Sequence, residues 1–163
     1  MKTTFRFFKS MLIASSIVIV SVIAFSSCKK DDNNNNNNSM YTISGDASGS
    51  QMAPVVTGTG SGSISGTYNA NNKMLIYTST WTNLTSAPLS AAFYNGATGV
   101  AGTAVGGEWS LGTGLAASGT FTDTLTLTTD QETQLTTGNW YYSYLTAANP
   151  TGEIRGQITA TKQ

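Results

Sequence analysis

The side chains of this sequence that could do chemistry are concentrated near its C-terminus. Polar and apolar side chains alternate over residues 153–158, so a strand there would place Glu153, Arg155 and Gln157 on one face. A structural interpretation is a Glu153–Arg155 ion pair, with the Gln157 amide bonding the sheet or a neighbouring loop. The functional interpretation is that Glu153 and Arg155 contact a ligand. Either way, the strand must be held beside other elements of the fold.

Most reaction chemistry is excluded by what the composition lacks. The chain has no histidine, so neither a Ser-His-Asp arrangement nor an imidazole metal ligand is available. Oxygen atoms of Asp123, Asp130 and Glu132 could meet around a calcium ion, but no Asp-x-Asp-x-Asn-Gly loop occurs. The simpler interpretation is a solvated face, with Asp130 and Glu132 near the start of a helix. We therefore predict no enzyme activity, no catalytic residue, no metal and no cofactor.

Aromatic residues are the other candidates for recognition. In a strand, Trp140, Tyr142 and Tyr144 share one face, and Tyr141 lies on the opposite face. A flat aromatic row can stack on a sugar, so Tyr141, Tyr142, Tyr144 and Trp109 are possible ligand contacts. Aromatic rows in small β proteins are more often part of the core, and we expect the core here.

Period-two alternation, which is typical of strands, recurs from Tyr41 onward. Residues 118–128 alternate threonine with apolar side chains such as Phe121 and Leu125, as expected of a half-buried antiparallel strand. Residues 60–82 read as a hairpin around an asparagine-rich turn. The pattern predicts an all-β fold, a single antiparallel β-sandwich of about seven or eight strands. The predicted strands lie near residues 41–46, 60–69, 73–82, 89–95, 118–128, 139–147 and 153–161.

Two segments depart from this alternation. Thr129 to Glu132 has the spacing of a capping box and Gly138 can end a helix, so we predict one short helix there. Residues 96–119 are rich in glycine, and we predict mostly loop with a short edge strand at 108–111.

The N-terminal residues have the order of a secretory signal. Three basic residues precede an apolar stretch over residues 11–25. The only cysteine, Cys28, follows Phe25-Ser26-Ser27, which resembles a bacterial lipobox. Cleavage before Cys28 would free it to take a diacylglycerol, a stable membrane anchor. We predict a lipoprotein signal peptide in residues 1–27 and a lipidated Cys28; the alternative is a stray thiol in an uncleaved anchor.

The next residues read as a tether. Residues 28–40 contain two lysines, two aspartates and six consecutive asparagines, with almost nothing apolar to bury. The Lys-Asp-Asp sequence resembles the export signal of Bacteroidetes-type surface lipoproteins; a plain spacer is the alternative. Removing residues 1–27 takes away three of eight basic residues and none of eight acidic ones, which leaves a net charge of −3. This charge argues against a nucleic-acid partner. We expect an outer-membrane lipoprotein of the cell envelope, which the export-signal interpretation would place at the cell surface.

Residues 41–163 resemble the CHRD (chordin-type) domain family. The sequence TAANPTGEIRGQI at 146–158 is similar to the family's terminal signature, and residues 51–60 are similar to its opening segment. The resemblance implies an immunoglobulin-like or Greek-key sandwich in an extracellular protein. Where the family tends to carry His-x-His, this chain has Phe93 and Asn95.

These observations lead to a functional expectation. We expect a lipid-anchored, extracytoplasmic binding or structural module on the cell envelope, with the membrane and an envelope protein or glycan as partners. A first alternative is a carbohydrate-binding or adhesin-type module. A second is a degenerate enzyme-like or metal-binding relative that has lost its histidine ligands.

Overall fold

Nine antiparallel strands and one short α-helix make up residues 39–163, the part of the chain that the computed structural model describes. The predicted signal peptide, Cys28 and most of the predicted tether lie outside these residues. Within residues 39–163, no helix has the length and the apolar character needed to cross a membrane. The elements are β1 (Met40–Ser48), a 3-10 turn (Gly49–Gln51), β2 (Ser61–Asn69), β3 (Met74–Thr82), β4 (Ser90–Asn95), β5 (Thr103–Glu108), β6 (Gly119–Thr126), α1 (Thr129–Thr136), β7 (Trp140–Leu145), β8 (Ile154–Gln157) and β9 (Thr159–Lys162).

All these strands belong to one sheet. Their order is β5-β4-β7-β8-β1-β2-β3-β6, and β9 pairs with β1. The prediction of an all-β antiparallel fold with one short helix is confirmed. The expected sandwich of separate sheets is replaced by a single sheet that curves until it is nearly closed and barrel-like. The two end strands, β5 and β6, approach each other across the gap. A Cβ atom added to Gly106 on β5 would lie only 2.9 Å from a methyl group of Leu125 on β6.

The C-terminal strand explains why the sheet is continuous. It was expected as one strand over 153–161, but it divides at Ile158 into two short strands. The first, β8, pairs with β7, for example Ser143 opposite Arg155. The second, β9, pairs with β1, for example Ile43 opposite Ala160. One run of chain therefore bonds to both halves of the sheet.

The core is aromatic, as the alternation predicts. Trp140, Tyr142 and Tyr144 are each 0% exposed. Trp109 packs among them, with its ring centre 4.9 Å from that of Phe93 and 6.2 Å from that of Tyr142. Ring pairs at these separations add stability beyond the area they bury. The aromatic row on this face of β7 is therefore part of the core.

The short helix and the short edge strand are both present, but each lies at a slightly different position from the one predicted. The helix has a capping box, but it is formed by Thr128 and Gln131 and begins one residue earlier than expected. Gly138, at a φ of 76°, follows the helix as predicted. The extra edge strand is β5 (Thr103–Glu108), which ends where the 108–111 strand was expected to begin, because Trp109 turns inward to the core.

The outer surfaces of the two sheet halves differ. On β2, β3 and β6, serine and threonine side chains face outward, with hydroxyl pairs such as Ser63–Thr80 and Thr78–Thr122 at 2.8 and 2.9 Å. On β4, β7 and β8, the outward side chains are covered by the loop over residues 96–102 and by the segment after β1. The covered half contains the polar row that the sequence singles out.

Candidate functional site

Arg155 is a buried cation on the covered outer face of the sheet. Its side chain is 3% exposed. Its Nη1 donates to the carbonyl of Val100 at 2.9 Å, and Nη2 donates to the carbonyl of Ala97 at 2.7 Å and to Oε1 of Gln157 at 3.3 Å. No carboxylate of residues 39–163 lies within salt-bridge distance of it. Its charge is therefore balanced only by dipoles.

Tyr141 forms the floor beneath this guanidinium. The guanidinium carbon of Arg155 lies 3.5 Å from the centre of the Tyr141 ring, a cation–π contact. The opposite side of that ring stacks on Tyr94, with ring centres 5.0 Å apart and planes 10° from parallel. The register explains the stack, since Tyr94 lies opposite Tyr141 across β4 and β7, and Arg155 is its diagonal neighbour on β8.

The loop over residues 96–102 closes this site from above. Besides the two carbonyls bound by Arg155, the amide of Gly102 donates to the Tyr141 hydroxyl at 3.0 Å. The Gln157 side-chain amide donates to the carbonyls of Gly96 and Gly138, at 3.1 and 2.8 Å. This confirms the expectation that the Gln157 amide would bond a neighbouring loop.

A pocket of about 160 Å³ opens beside Arg155 and Tyr141. Ser143 contributes to its wall, and the Ser143 hydroxyl donates to the carbonyl of Ile154 at 2.8 Å. Burial, then the charges of Tyr141 and Glu108, raise the pKa of Tyr94, so its hydroxyl is a neutral donor at neutral pH. No carboxylate lines the pocket. The lining residues are Met52, Ala53, Tyr94, Ala101, Gly102, Tyr141, Ser143, Thr151 and Arg155.

Glu153 belongs to a separate network, and the predicted Glu153–Arg155 ion pair does not form. Glu153 is 2% exposed. Its Oε1 accepts from the amide of Thr85 at 2.8 Å, and its Oε2 accepts from the hydroxyls of Thr85 and Thr146, both at 2.6 Å. Burial raises the pKa of Glu153, but the hydrogen bonds from Thr146, Thr85 and Asn149 lower it more, so the pKa lies below its ordinary value. Glu153 and Arg155 diverge because each finds its partners in a different loop.

The predicted contact residues are therefore divided by the fold. Arg155 and Tyr141 meet at the pocket. Tyr142, Tyr144 and Trp109 lie in the core, and Glu153 fastens a loop. Asp123 and Asp130 are exposed, and Oε2 of Glu132 lies 3.9 Å from Nζ of Lys73. Within the described range, no three acidic or cysteine side chains lie close enough together to hold a metal ion.

Sequence reasoning missed several residues of the pocket wall. Tyr94 was detectable in principle, because it shares the outward face of β4 and that strand pairs with β7. Met52, Ala101 and Gly102 lie in segments without periodicity, and no pattern in the sequence connects them to Arg155.

The family to which the chain belongs follows from comparison with known domains. The family model of the CHRD domain matches residues 43–158, which include all of β2 to β8 and β1 from Ile43 onward. This chain is a member of the CHRD domain family, as the C-terminal signature suggested. Comparisons with curated proteins and with solved structures gave no match.

Proposed function

We propose that this chain is a lipid-anchored, extracytoplasmic CHRD module that binds a ligand at the cell envelope without catalysing a reaction. The basic residues, apolar stretch and Cys28 at the N-terminus support export and lipidation. The absence of histidine from the sequence supports a non-catalytic role.

The pocket beside Arg155 is the observation that carries a binding function. A buried guanidinium without an acidic partner is costly unless its charge is compensated, and charged side chains are rarely buried without one. Arg155 holds the loop over residues 96–102, so it also has a structural role. The same side chain lines an open pocket, which a purely structural clamp does not require.

The carbohydrate-binding alternative receives less support from the geometry. Stacking on a sugar needs an exposed ring face, but Tyr142, Tyr144 and Trp109 are in the core. Both faces of the Tyr141 ring are occupied, one by Arg155 and the other by Tyr94.

Site-directed photocrosslinking in intact cells tests the binding function. A benzoylphenylalanine at exposed Thr151, on the pocket rim, should give a covalent adduct upon irradiation. The matched control places it at exposed Thr124, on the outer serine and threonine face of β6. An adduct from position 151 alone supports binding at the pocket. Equal adducts from both positions, or none from either, contradict it.

The anchor is tested separately by metabolic labelling with an azido fatty acid. We expect Cys28→Ala to lose the label and to release the protein in soluble form. Ser27→Ala, which keeps a small residue before the cysteine, should retain the label. Label that persists on Cys28→Ala would show that the lipobox interpretation is wrong. External protease on whole cells then distinguishes surface display, where the protein is digested, from a periplasmic location, where it is digested only after lysis.

A further inference from the structure

We infer that the pocket beside Arg155 binds a carboxylate group. The inference rests on the proposed binding function and adds the chemical class of the ligand. It follows from the donors that the pocket offers, from the single charge of Arg155 and from the volume of the pocket.

The side chains at the site have hydrogen-bond donors that no protein acceptor uses. A guanidinium has five N–H donors, and three of those of Arg155 are used by Val100, Ala97 and Gln157. The Nε–H group and one N–H group of Nη1 therefore have no partner in the described range, and each can donate one hydrogen bond to a ligand. The Tyr141 hydroxyl accepts from Gly102 and keeps its own proton to donate. A ligand that only accepts hydrogen bonds fits this arrangement.

Charge balance selects a monovalent anion. The guanidinium is the only formal charge among the residues that line the pocket. A carboxylate would neutralise it, with one oxygen atom accepting from an unused N–H group of Arg155 and the other from the Tyr141 hydroxyl. A phosphate dianion would bring a second negative charge into a partly enclosed site with no second cation, which is unfavourable. Lys73 and Lys162, the other two cations of residues 39–163, do not line the pocket.

The pocket volume limits what enters. At about 160 Å³ it is smaller than the roughly 300–1,000 Å³ of pockets that enclose drug-sized ligands. A carboxylate with a short stem can enter, while the rest of a larger ligand would lie outside, near Ala101 and Thr151 on the exposed rim.

Acetate and acetamide provide a matched pair of probes, because they have nearly the same size and differ in charge. We would record ¹H–¹⁵N NMR spectra of the full chain in nonionic detergent micelles at pH 7. The sequence has two arginines, Arg6 and Arg155, so the Nε–H signal lost in Arg155→Lys identifies Arg155. At constant ionic strength set with sodium chloride, acetate should shift this signal saturably and acetamide should not. Sodium sulfate should bind at least tenfold more weakly than acetate.

A pair of rim variants tests the same point without touching the buried residues. Ala101 is exposed at the rim, so Ala101→Glu places a carboxylate beside the pocket and should weaken acetate binding about tenfold or more. Ala101→Gln adds nearly the same volume without charge and should retain binding. An Arg155 signal that does not respond to acetate, responds equally to acetamide, or prefers sulfate would overturn the inference. If photocrosslinking at Thr151 succeeds while acetate fails, the binding function stands and the carboxylate inference alone is wrong.

Discussion

Oε2 of Glu153 accepts a 2.6 Å hydrogen bond from the hydroxyl of Thr85, a residue 68 positions earlier in the chain. The amide of Thr85 donates to the other oxygen, so both carboxylate oxygens are bonded to the same residue of the loop between β3 and β4. Because carboxylate hydrogen bonds are charge-assisted, this contact fixes the loop to the start of β8 more strongly than neutral pairs would.

Replacing this carboxylate should destabilise the protein in a pH-dependent way. The folded-state pKa of Glu153 lies below its ordinary 4.5, so the ionised form stabilises the fold above that pH. The contribution is lost as the pH falls from 4.5 through the lower folded value. At pH 7 we expect Glu153→Gln to lower the free energy of unfolding by about 1–3 kcal/mol in urea titrations.

The pH profile distinguishes this effect from a simple loss of packing. Glu153→Gln should show a smaller decrease in stability between pH 5 and 3 than the unmodified chain. Glu108→Gln, at an exposed position, is the control and should leave both the stability and the profile nearly unchanged. Identical pH profiles for Glu153→Gln and the unmodified chain would contradict the assignment.

Arg155→Lys should loosen the loop over residues 96–102 while keeping the positive charge. Lysine has no planar fork, so it cannot bind the carbonyls of Ala97 and Val100 and also lie flat on the Tyr141 ring. Hydrogen exchange should become faster at the amide of Gly102, which is bonded to the Tyr141 hydroxyl.

The matched control for this substitution is Lys162→Met, which alters an exposed cation on β9. It should leave exchange in residues 96–102 unchanged. If Arg155→Lys also leaves the exchange of Gly102 unchanged, Arg155 does not hold the loop.

Gly156→Ala should be strongly destabilising. A Cβ at this position would lie 2.5 Å from Cε1 of Tyr142 and 2.9 Å from the carbonyl oxygen of Asp46, so the strands must move apart. Overpacking of this kind costs about 1–3 kcal/mol, which thermal or urea unfolding can measure. Gly58→Ala is the control, because nothing lies within 4 Å of its added Cβ. Similar stabilities for the two variants would show that β8 can shift to make room.

Tyr144→Phe should cost about 1 kcal/mol of unfolding free energy. The Tyr144 hydroxyl donates to Oγ of Ser79 at 2.8 Å, and both residues are 0% exposed. Removing it leaves a buried hydroxyl with one acceptor site unfilled. Tyr41→Phe, which removes a hydroxyl without a hydrogen-bond partner in the described range, should be nearly neutral in the same urea titration. A neutral Tyr144→Phe would contradict a stabilising role for this hydrogen bond.

The strands were predictable because a half-buried strand carries its orientation in every second residue. For β2, β3 and β4 the predicted strand starts one residue before the observed one and ends at the same residue. Alternation also placed Tyr142 and Tyr144 in the core, since bulky rings on one face need a partner surface.

The site was predictable only in part, because several of its hydrogen bonds are made by backbone groups. Arg155 and Tyr141 stand out as side chains, but their partners include the carbonyls of Ala97 and Val100 and the amide of Gly102. Backbone groups leave no mark in a sequence. The same limit explains the Glu153–Arg155 ion pair that was expected and is not formed. Neighbours on one strand face compete with loops whose position only the fold determines.

The position of β1 in the sheet determines how the domain would respond to a mechanical load. Along its length β1 is bonded to β2 on one side and to β9 and β8 on the other, with Ser48 opposite Arg155. A pull on Met40, directed along the strand, would load both hydrogen-bond ladders in shear at the same time. Many bonds would have to break together, whereas an edge strand peeled from its end breaks them one after another. A ligand held at Arg155 would thus transmit tension directly to the strand that follows the N-terminal segment.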